Sequence, residues 1–579
     1  MSGSSAPGLR VGSGPGLGPH ATAFAPSERT LLLRRRAAQA PETPWLRFDG
    51  GRVWSVGEMR DQVAFVAHGL RQLGCRPGDR VGLLMRNRVE FVAGLLGALA
   101  ADCVAVPLGA RERAETLSGL LRAAMLRALL VDPEGMTALG ELTPPVGLET
   151  VVGAGSEEWR PWGGVRVLGW AALTECGERA ASALENELGS PDSAQPALIQ
   201  FTSGTTGGPK GVVYSHHLLY MYSALSVDAL GWSAGDVLMT PLPLYHAAAL
   251  HHVAMGSLHV GGLGALRSSF SATRFWQHAA QDGANFAVLM GPMAAMIDER
   301  AEPRTDHPVR EVFCTPPPPD RTGFERRFGV RVLWQTYGMT EIYPAPMRRD
   351  LDGEDPVTAV GYPAAWTEFG VVDERGRFLT AGERGELVFR PRLEGMMFEG
   401  YWNDRPRTAH ALRGRVFHTG DIGYYDEDGL LHLIGRHADR IRRRGENISA
   451  QSIERVALLA PGVVEAAVYG VPSSLGEDDI KLDLTGDIGL DRLRAHLVDH
   501  LPDHMLPRYY ERRDGFPKTG SERIIKGRLR DLPLDRAAVV DVETDPGAAS
   551  WPAADAPPAG AAGWPAGAAG WPEAAETPR

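Results

Sequence analysis

Between Val56 and Leu108 the chain switches repeatedly between two kinds of hydrophobic spacing, and that alternation restricts its fold more than any other feature. Val56 to Leu73 places apolar residues at helical intervals, and the short apolar run Val81-Gly-Leu-Leu-Met85 follows. Phe91 to Ala101 returns to helical spacing before Cys103-Val-Ala-Val-Pro-Leu108 reads as a buried strand. Unbroken apolar runs mark strands covered on both faces, and the helices between them supply the crossovers that parallel strands need. The pattern predicts an α/β protein of mostly parallel sheets flanked by helices. At 579 residues the chain exceeds what one core organises, so two or more domains are expected.

Charge and composition exclude several classes of partner. Lys and Arg number 60 against 71 Asp and Glu, a net charge of −11, whereas sequence-independent nucleic-acid binding needs a basic surface. No nucleic-acid partner is expected. No run of about 18 apolar residues occurs, so no membrane-spanning helix is expected. The Gly-, Ser- and Pro-rich start has no apolar stretch before Leu31 and reads as a poor signal peptide, which points to the cytoplasm. Cys75, Cys103, Cys176 and Cys314 lie far apart and read as buried thiols, not as a disulfide framework or metal site. Residues 1–28 read as a disordered lead-in. The near-repeat Ala559-Gly-Ala-Ala-Gly-Trp-Pro565 and Ala566-Gly-Ala-Ala-Gly-Trp-Pro572 marks 536–579 as a flexible tail. Gly435-Arg-His-Ala-Asp-Arg-Ile-Arg-Arg-Arg444 reads as a charged crossing between a large region, 29–435, and a small one, 436–535. In the small region Val464-Glu-Ala-Ala-Val-Tyr-Gly-Val471 is the expected strand.

The segment Thr202-Ser-Gly-Thr-Thr-Gly-Gly-Pro-Lys-Gly211 carries the chemistry. The apolar run Ala197-Leu-Ile-Gln-Phe201 delivers the chain as a strand into a turn rich in glycine and small hydroxyls. Glycines let backbone N–H groups converge on an oxyanion, and hydroxyls add donors without bulk. Lys210 supplies a mobile cation for phosphate charge. The spacing departs from Gly-x4-Gly-Lys-Ser/Thr, which argues against the common P-loop of NTPases.

This decapeptide resembles the phosphate-binding signature of the ANL adenylate-forming superfamily, which takes in acyl-CoA synthetases, nonribosomal peptide adenylation domains and luciferases. Further segments match in the same order from about Thr30 to Arg530. The resemblance implies that Thr202, Ser203, Gly204, Thr205, Thr206, Gly207 and Lys210 hold ATP. Tyr337-Gly-Met-Thr-Glu341 resembles the second core motif: Tyr337 would stack on adenine beside Gly338, Thr340 would bond the α-phosphate, and Glu341 would bind Mg²⁺. A carboxylate suits a hard cation, and the cation neutralises charge as pyrophosphate departs. His418-Thr-Gly-Asp-Ile-Gly-Tyr424 resembles the ribose motif, with Asp421 accepting from both hydroxyls and Arg436 reaching the ribose or phosphate. Pro241-Leu-Pro-Leu-Tyr-His246 would set His246 beside the carboxylate pocket, walled by Cys314, Thr315 and Gly338. His251 and His252 are read as core histidines, with pocket lining as the alternative. The resemblance also implies a large N-terminal domain of layered, mostly parallel sheets and a small, mobile C-terminal α+β domain. That small domain would alternate between an adenylating pose and one that admits the acceptor. Arg443-Arg-Gly-Glu-Asn-Ile-Ser449 is most like the carnitine and crotonobetaine type of acyl-CoA ligase, and Gly445 would lie near the pantetheine entrance. The cluster Arg442-Arg-Arg444 reads equally as a site for CoA phosphates or as an exposed basic turn.

Three departures stand out. Pro517-Lys-Thr-Gly-Ser-Glu-Arg-Ile-Ile-Lys526 resembles the final motif, but Arg523 stands where the family has a catalytic lysine that bridges carboxylate and α-phosphate, and Glu522 where it has glycine. Arginine keeps the charge but is longer, planar and differently hydrated. Cys314-Thr-Pro-Pro-Pro-Pro-Asp320 replaces a Gly-Gly-Ala-Pro-like turn, stiffening the pocket wall and removing backbone donors. Ala438, followed by Asp439, falls at the hinge. The expected function is an ATP-dependent ligase that activates a small carboxylic acid as acyl-AMP, releases pyrophosphate and transfers the acyl group to CoA. One alternative uses the same half-reaction on nitrite to diazotise an arylamine, making an amine the acceptor. Another is a catalytically silent nucleotide-binding scaffold.

Overall fold

Helix Val56–Gln72 begins where Ser55 accepts from the Glu58 amide at 3.2 Å and Glu58 accepts from the Ser55 amide at 2.8 Å, a reciprocal cap. Its apolar stripe, including Val63, Val66 and Leu70, is buried beside helix Val89–Ala100, itself buried from Phe91 to Ala100. The computed structural model describes residues 8–22, 32–112, 114–140, 142–155, 159–178, 194–202, 209–318, 320–334, 336–345, 358–436, 440–443, 446–473, 478–518, 524–532, 534, 539–542 and 551.

Under these helices lies an eight-stranded sheet. Strands Arg166–Gly169, Thr150–Gly153, Ala128–Val131, Arg80–Leu84 and Val104–Leu108 pair in parallel, and Pro196–Thr202 joins in parallel at Val104–Leu108. The sheet then turns antiparallel through Lys210–Ser215 and ends on Gly400–Tyr401. A second sheet of seven strands runs Arg331–Leu333, Glu311–Thr315, Phe286–Met290, Val237–Thr240, Leu263–Leu266, Pro44–Phe48 and Val53–Ser55, parallel except at its last pair.

A third large sheet departs from the parallel expectation. Thr367–Val372, Gly385–Pro391, Val416–Tyr425 and Leu431–Arg436 pair antiparallel. Burial explains the difference. Val104–Leu108 and Ala128–Val131 are buried at every position, whereas Val416–Tyr425 alternates buried and partly buried residues from Asp421 onward. A strand with one packed face suits an antiparallel neighbour joined by a short turn.

The main hydrophobic core spans Ala21 to Leu431, and a separate core begins at Ile441 and runs to Val540. The second core lies in a small α+β unit with helices Ala450–Leu458 and Leu490–His500 and a four-stranded sheet. The expected strand appears there as Val463–Pro472. In this sheet the Lys481 ammonium lies 2.9 Å from Asp483, 2.5 Å from Glu511 and 2.9 Å from the Tyr469 hydroxyl, so its buried charge is compensated.

Both chain ends contribute more structure than the sequence suggested. Within the lead-in, Arg10–Val11 pairs antiparallel with Phe369 and Glu368, and the amides of His20 and Ala21 donate to Asp228. Beyond 536, Val539–Asp541 adds a strand to the small unit and Trp551 Nε1 donates to the Ile488 carbonyl at 2.7 Å. The glycine-rich repeat at 559–572 lies outside the described residues. Cys75, Cys103 and Cys314 are free and buried, and the Cys103 thiol donates to the Arg76 carbonyl. Among the described residues no helix is long and apolar enough to cross a membrane.

Candidate active site

The strands on either side of the phosphate-loop segment, Pro196–Thr202 and Lys210–Ser215, pair antiparallel. Register pairs Lys210 with Thr202, Val212 with Gln200 and Tyr214 with Leu198. Side chains on directly opposed residues share a face, so Thr202, Lys210, Gln200 and Tyr214 project the same way. Ser203, Gly204, Thr205, Thr206 and Gly207 lie outside the described residues, and their flanks close on each other at Thr202 and Lys210. At Gly211 a Cβ would lie 2.9 Å from Ile199 and 3.0 Å from Trp402, so the hairpin packs too closely there for a side chain.

Lys210 is tied to Glu341 through a residue that no motif announced. The lysine Nζ sits 5.3 Å from the centroid of the Tyr401 ring, and the Tyr401 hydroxyl donates to Glu341 Oε1 at 2.8 Å. The Glu341 carbonyl in turn accepts from the Phe398 amide, which anchors the turn to the strand edge. Glu341 and Tyr401 are only 7% and 8% exposed. Burial, then the neighbouring carboxylate, push the Tyr401 hydroxyl far above its ordinary value, so it remains a donor at any physiological pH. Among the described residues no group of three or more His, Cys, Asp or Glu side chains could enclose a metal ion. A buried carboxylate beside a phosphate loop nevertheless fits a divalent cation that takes most of its ligands from phosphate oxygens.

The second carboxylate is Asp421, whose Oδ2 accepts from the Tyr337 hydroxyl at 2.7 Å. Tyr337 packs against Phe389 with ring centroids 5.5 Å apart. Glu386 shapes the turn before Asp421: one oxygen meets His418 Nδ1 at 2.8 Å and the other accepts from the Gly420 amide at 2.9 Å. Gly420 has φ +72°, a conformation glycine adopts freely. Burial opposes the charge on Glu386, but the contacts from His418 and Gly420 outweigh it and hold the carboxyl below its ordinary range. The backbone of Arg436 pairs with Asp421 across the sheet, which sets it beside the same site.

Strand Tyr337–Met339 folds back on Ile342–Ala345, leaving Thr340 and Glu341 at the bend. A Cβ on Gly338 would lie 2.4 Å from the Tyr343 ring, which stacks on Tyr222 at 4.8 Å. Gly338→Ala is therefore expected to displace Tyr343, cost about 1–3 kcal/mol of stability and lower turnover about tenfold. Thermal melts and pyrophosphate release would check both.

His246 is positioned from the hairpin: Gln200 Nε2 donates to the Tyr245 carbonyl at 2.9 Å, and the Tyr245 and His246 rings lie 4.4 Å apart. Burial lowers His246 to about 4, so the imidazole is neutral at pH 7. His251 and His252 lie on the π-helix Ala248–Met255 and are buried, as core histidines would be. His251 stacks on Tyr222 at 4.6 Å, while His252 meets Phe313 edge-on at 5.0 Å. Cys314 donates its thiol to the Pro316 carbonyl at 3.2 Å, and burial pushes that thiol up. The Thr315 hydroxyl donates to the Trp334 carbonyl at 3.1 Å, and the Thr315–Pro316 peptide is cis. Both wall residues are thus spent on local structure.

Arg523, Glu522, Gly445, Ala438 and Asp439 lie outside the described residues. The flanks of Arg523 are held together, with Lys518 bridging Ile524 and the Ile525 amide donating to Pro517 at 2.7 Å. Lys526 pairs with Glu454 at 2.7 Å inside the small unit. Tyr401, Glu386 and Gln200 escaped the sequence reading. Their functions come from strand register, and their only local signal is a polar or aromatic residue beside a glycine or an apolar run.

A hairpin whose lysine is coupled to one buried carboxylate, with a second carboxylate held by an aromatic ring, suits an enzyme that works on a nucleotide. The chain belongs to the AMP-binding enzyme family, whose profile matches residues 33–402, and the AMP-binding enzyme C-terminal domain matches residues 452–523. It is an ATP-dependent, AMP-forming ligase of the acyl-CoA synthetase kind. A crotonobetaine/carnitine–CoA ligase from Salmonella paratyphi A is 27% identical over 83% of this chain and 93% of its own length. A sulfoacetate–CoA ligase from Cupriavidus necator is 28% identical over 86% and 96%. In fold, the chain resembles an anthranilate CoA ligase solved with anthranoyl-AMP, with a TM-score of 0.77, 21% identity and coverage of 88% and 98%.

Proposed function

We propose that the enzyme activates a small carboxylic acid as acyl-AMP, expels pyrophosphate, and passes the acyl group to the thiol of CoA with release of AMP. The observation that carries this reading is the Lys210–Tyr401–Glu341 connection, which couples the anion loop to a carboxylate suited to a phosphate-bound cation. In this reading the 202–210 loop and Lys210 grip the β- and γ-phosphates, and Thr340 bonds the α-phosphate. Mg²⁺ at Glu341 would supply charge neutralisation as pyrophosphate leaves. Asp421, steadied through one oxygen by Tyr337, accepts from the ribose hydroxyls while Tyr337 lies along the adenine. Neutral His246 faces the acid without competing for its negative charge. Arg523 takes the place of the usual lysine between carboxylate and α-phosphate, carried by a mobile small domain of residues 436–535 that brings Gly445 to the CoA entrance. Acceleration comes mainly from positioning and electrostatic stabilisation. Several relatives bearing CoA-ligase names support the thioester step.

The test supplies ATP, Mg²⁺ and a panel of acids, follows pyrophosphate, then adds CoA and weighs the product. Mg²⁺-dependent pyrophosphate release with an acid, followed by a thioester mass, is expected. Release with nitrite alone, accompanied by a diazo product from an arylamine, would overturn the reading. ATP binding with no turnover on any arm would make the protein a scaffold.

A further inference from the structure

We infer that the acid this site accepts has an uncharged tail bearing a hydrogen-bonding group, such as a hydroxyl or an amide, and that His252 on the π-helix recognises it. The inference rests on the ligase reading above.

Its first support is position. The reacting carboxylate must approach the bend at Thr340 and Glu341, and the aromatic cluster against that bend is well defined. The Tyr222 hydroxyl lies 3.5 Å from the Met339 carbonyl, and its ring is parallel to Tyr343 at 4.8 Å. His252 sits 6.3 Å from Tyr343 and 5.0 Å from Phe313, between the bend and the end of strand Glu311–Thr315.

Charge supplies the second support. Burial lowers both His246 and His252, and among the described residues no charged side chain contributes to either shift. The charged group at the border is Glu341, which acts on Tyr214 and Tyr222 and is engaged by Tyr401. A second carboxylate or a sulfonate on the substrate would therefore be buried with no counter-charge from the described residues, at a cost of several kcal/mol. A quaternary ammonium fares no better. It needs an open aromatic face, and Tyr222 has both faces covered, by His251 at 4.6 Å and Tyr343 at 4.8 Å.

The third support is unmet hydrogen bonding. Among the described residues, His252 Nδ1, Gln200 Oε1 and the Tyr214 hydroxyl are buried with no hydrogen-bond partner. His252 is 6% exposed, Gln200 2% and Tyr214 fully buried. Each unpaired buried group costs about 1–3 kcal/mol, a penalty that a partner arriving with the substrate removes. The unpartnered Nδ1 of the neutral imidazole offers a donor or an acceptor according to its tautomer, and a hydroxyl or amide can meet either.

The experiment measures pyrophosphate release for matched pairs of acids of equal size, one with a hydroxyl or amide on its tail and one without. A dicarboxylate, a sulfonated acid and a quaternary-ammonium acid complete the set. The hydrogen-bonding member of a pair is expected to exceed its plain partner at least tenfold in kcat/KM, with the charged acids about a hundredfold below it. His252→Phe keeps an aromatic ring against Phe313 and removes both nitrogens, so it should narrow the pair's gap to about threefold or less. His252→Gln retains a donor and an acceptor and should preserve the gap. A preference for a charged acid in the wild-type enzyme would overturn the inference, whatever the variants do. So would an equal loss on both members of a pair in His252→Phe. Failure of the ligase reading is a separate result: no acid of any class would then release pyrophosphate.

Discussion

Glu341→Gln is expected to lower Mg²⁺-dependent pyrophosphate release by about 10²–10³-fold with little change in melting temperature, the scale seen when one preorganised electrostatic contact to a transition state is removed. The substitution is close to isosteric, and the amide oxygen can still accept from the Tyr401 hydroxyl that now meets Glu341 at 2.8 Å. Packing around this buried position should therefore survive. What disappears is the negative charge that would hold the cation. Among the described residues no cluster of three metal-ligating side chains stands ready to replace it. A binding readout separates this cause from a folding defect: Mn²⁺ titrated into the enzyme with ATP and followed by electron paramagnetic resonance should bind at least tenfold more weakly. Unchanged Mn²⁺ binding together with unchanged turnover would remove Glu341 from the metal role. Tyr401→Phe should give a milder, roughly tenfold loss, because it deletes one hydrogen bond to a charged group and leaves the ring beneath Lys210 in place.

The parts of this enzyme that were legible in its sequence are those whose residues act locally. The change from period 3.6 to unbroken apolar runs located helix Val56–Gln72 and strands Arg80–Leu84 and Val104–Leu108 within a residue or two of their expected limits. The 202–211 and 337–341 segments could be singled out because each is a contiguous stretch. The antiparallel sheet was not, since the alternating buried positions of Val416–Tyr425 are Asp421, Gly423 and Tyr425, which do not read as an apolar period. At the N-terminus, a two-residue strand and a four-residue helix are too short to leave a period, and the latter is held by Asp228, 207 and 208 residues away. The missing site residues have the same explanation. Tyr401 reaches Glu341 across 60 residues, and Glu386 reaches His418 across 32. Such partners are chosen by strand register, which a one-residue slip would change entirely and which no local pattern encodes.

Lowering the pH from 7.5 to 5.5 is expected to destabilise the large domain by about 4 kcal/mol through its buried histidines, before carboxylates in their ordinary range protonate. His246 and His252 are lowered to about 4, and His251 and His259 to about 3, burial being the largest cause in each case. The sign follows from proton counts. Between about 6.5 and 4 the unfolded chain binds a proton at each histidine that the native state refuses, so stability falls as the pH falls. One pH unit below the free value, each contributes on the order of 1 kcal/mol. Glu386 acts in the same direction but lower down, since its lowered carboxyl gives up its stabilisation only as the pH falls below the ordinary carboxylate range, outside this window. Urea midpoints at pH 7.5, 6.5 and 5.5, followed by tryptophan fluorescence, would give the slope. His259→Gln, in which an amide replaces the ring nitrogen that meets the Tyr220 carbonyl at 3.1 Å, should flatten that slope by about a quarter. A flat response in the wild-type protein would mean that these rings accept protons in the folded state. The same neutrality bears on catalysis: because His246 and His252 stay uncharged down to about pH 4, kcat/KM should show no limb near 6.5 from either ring. Loss of activity on acidification should instead track the loss of folded enzyme.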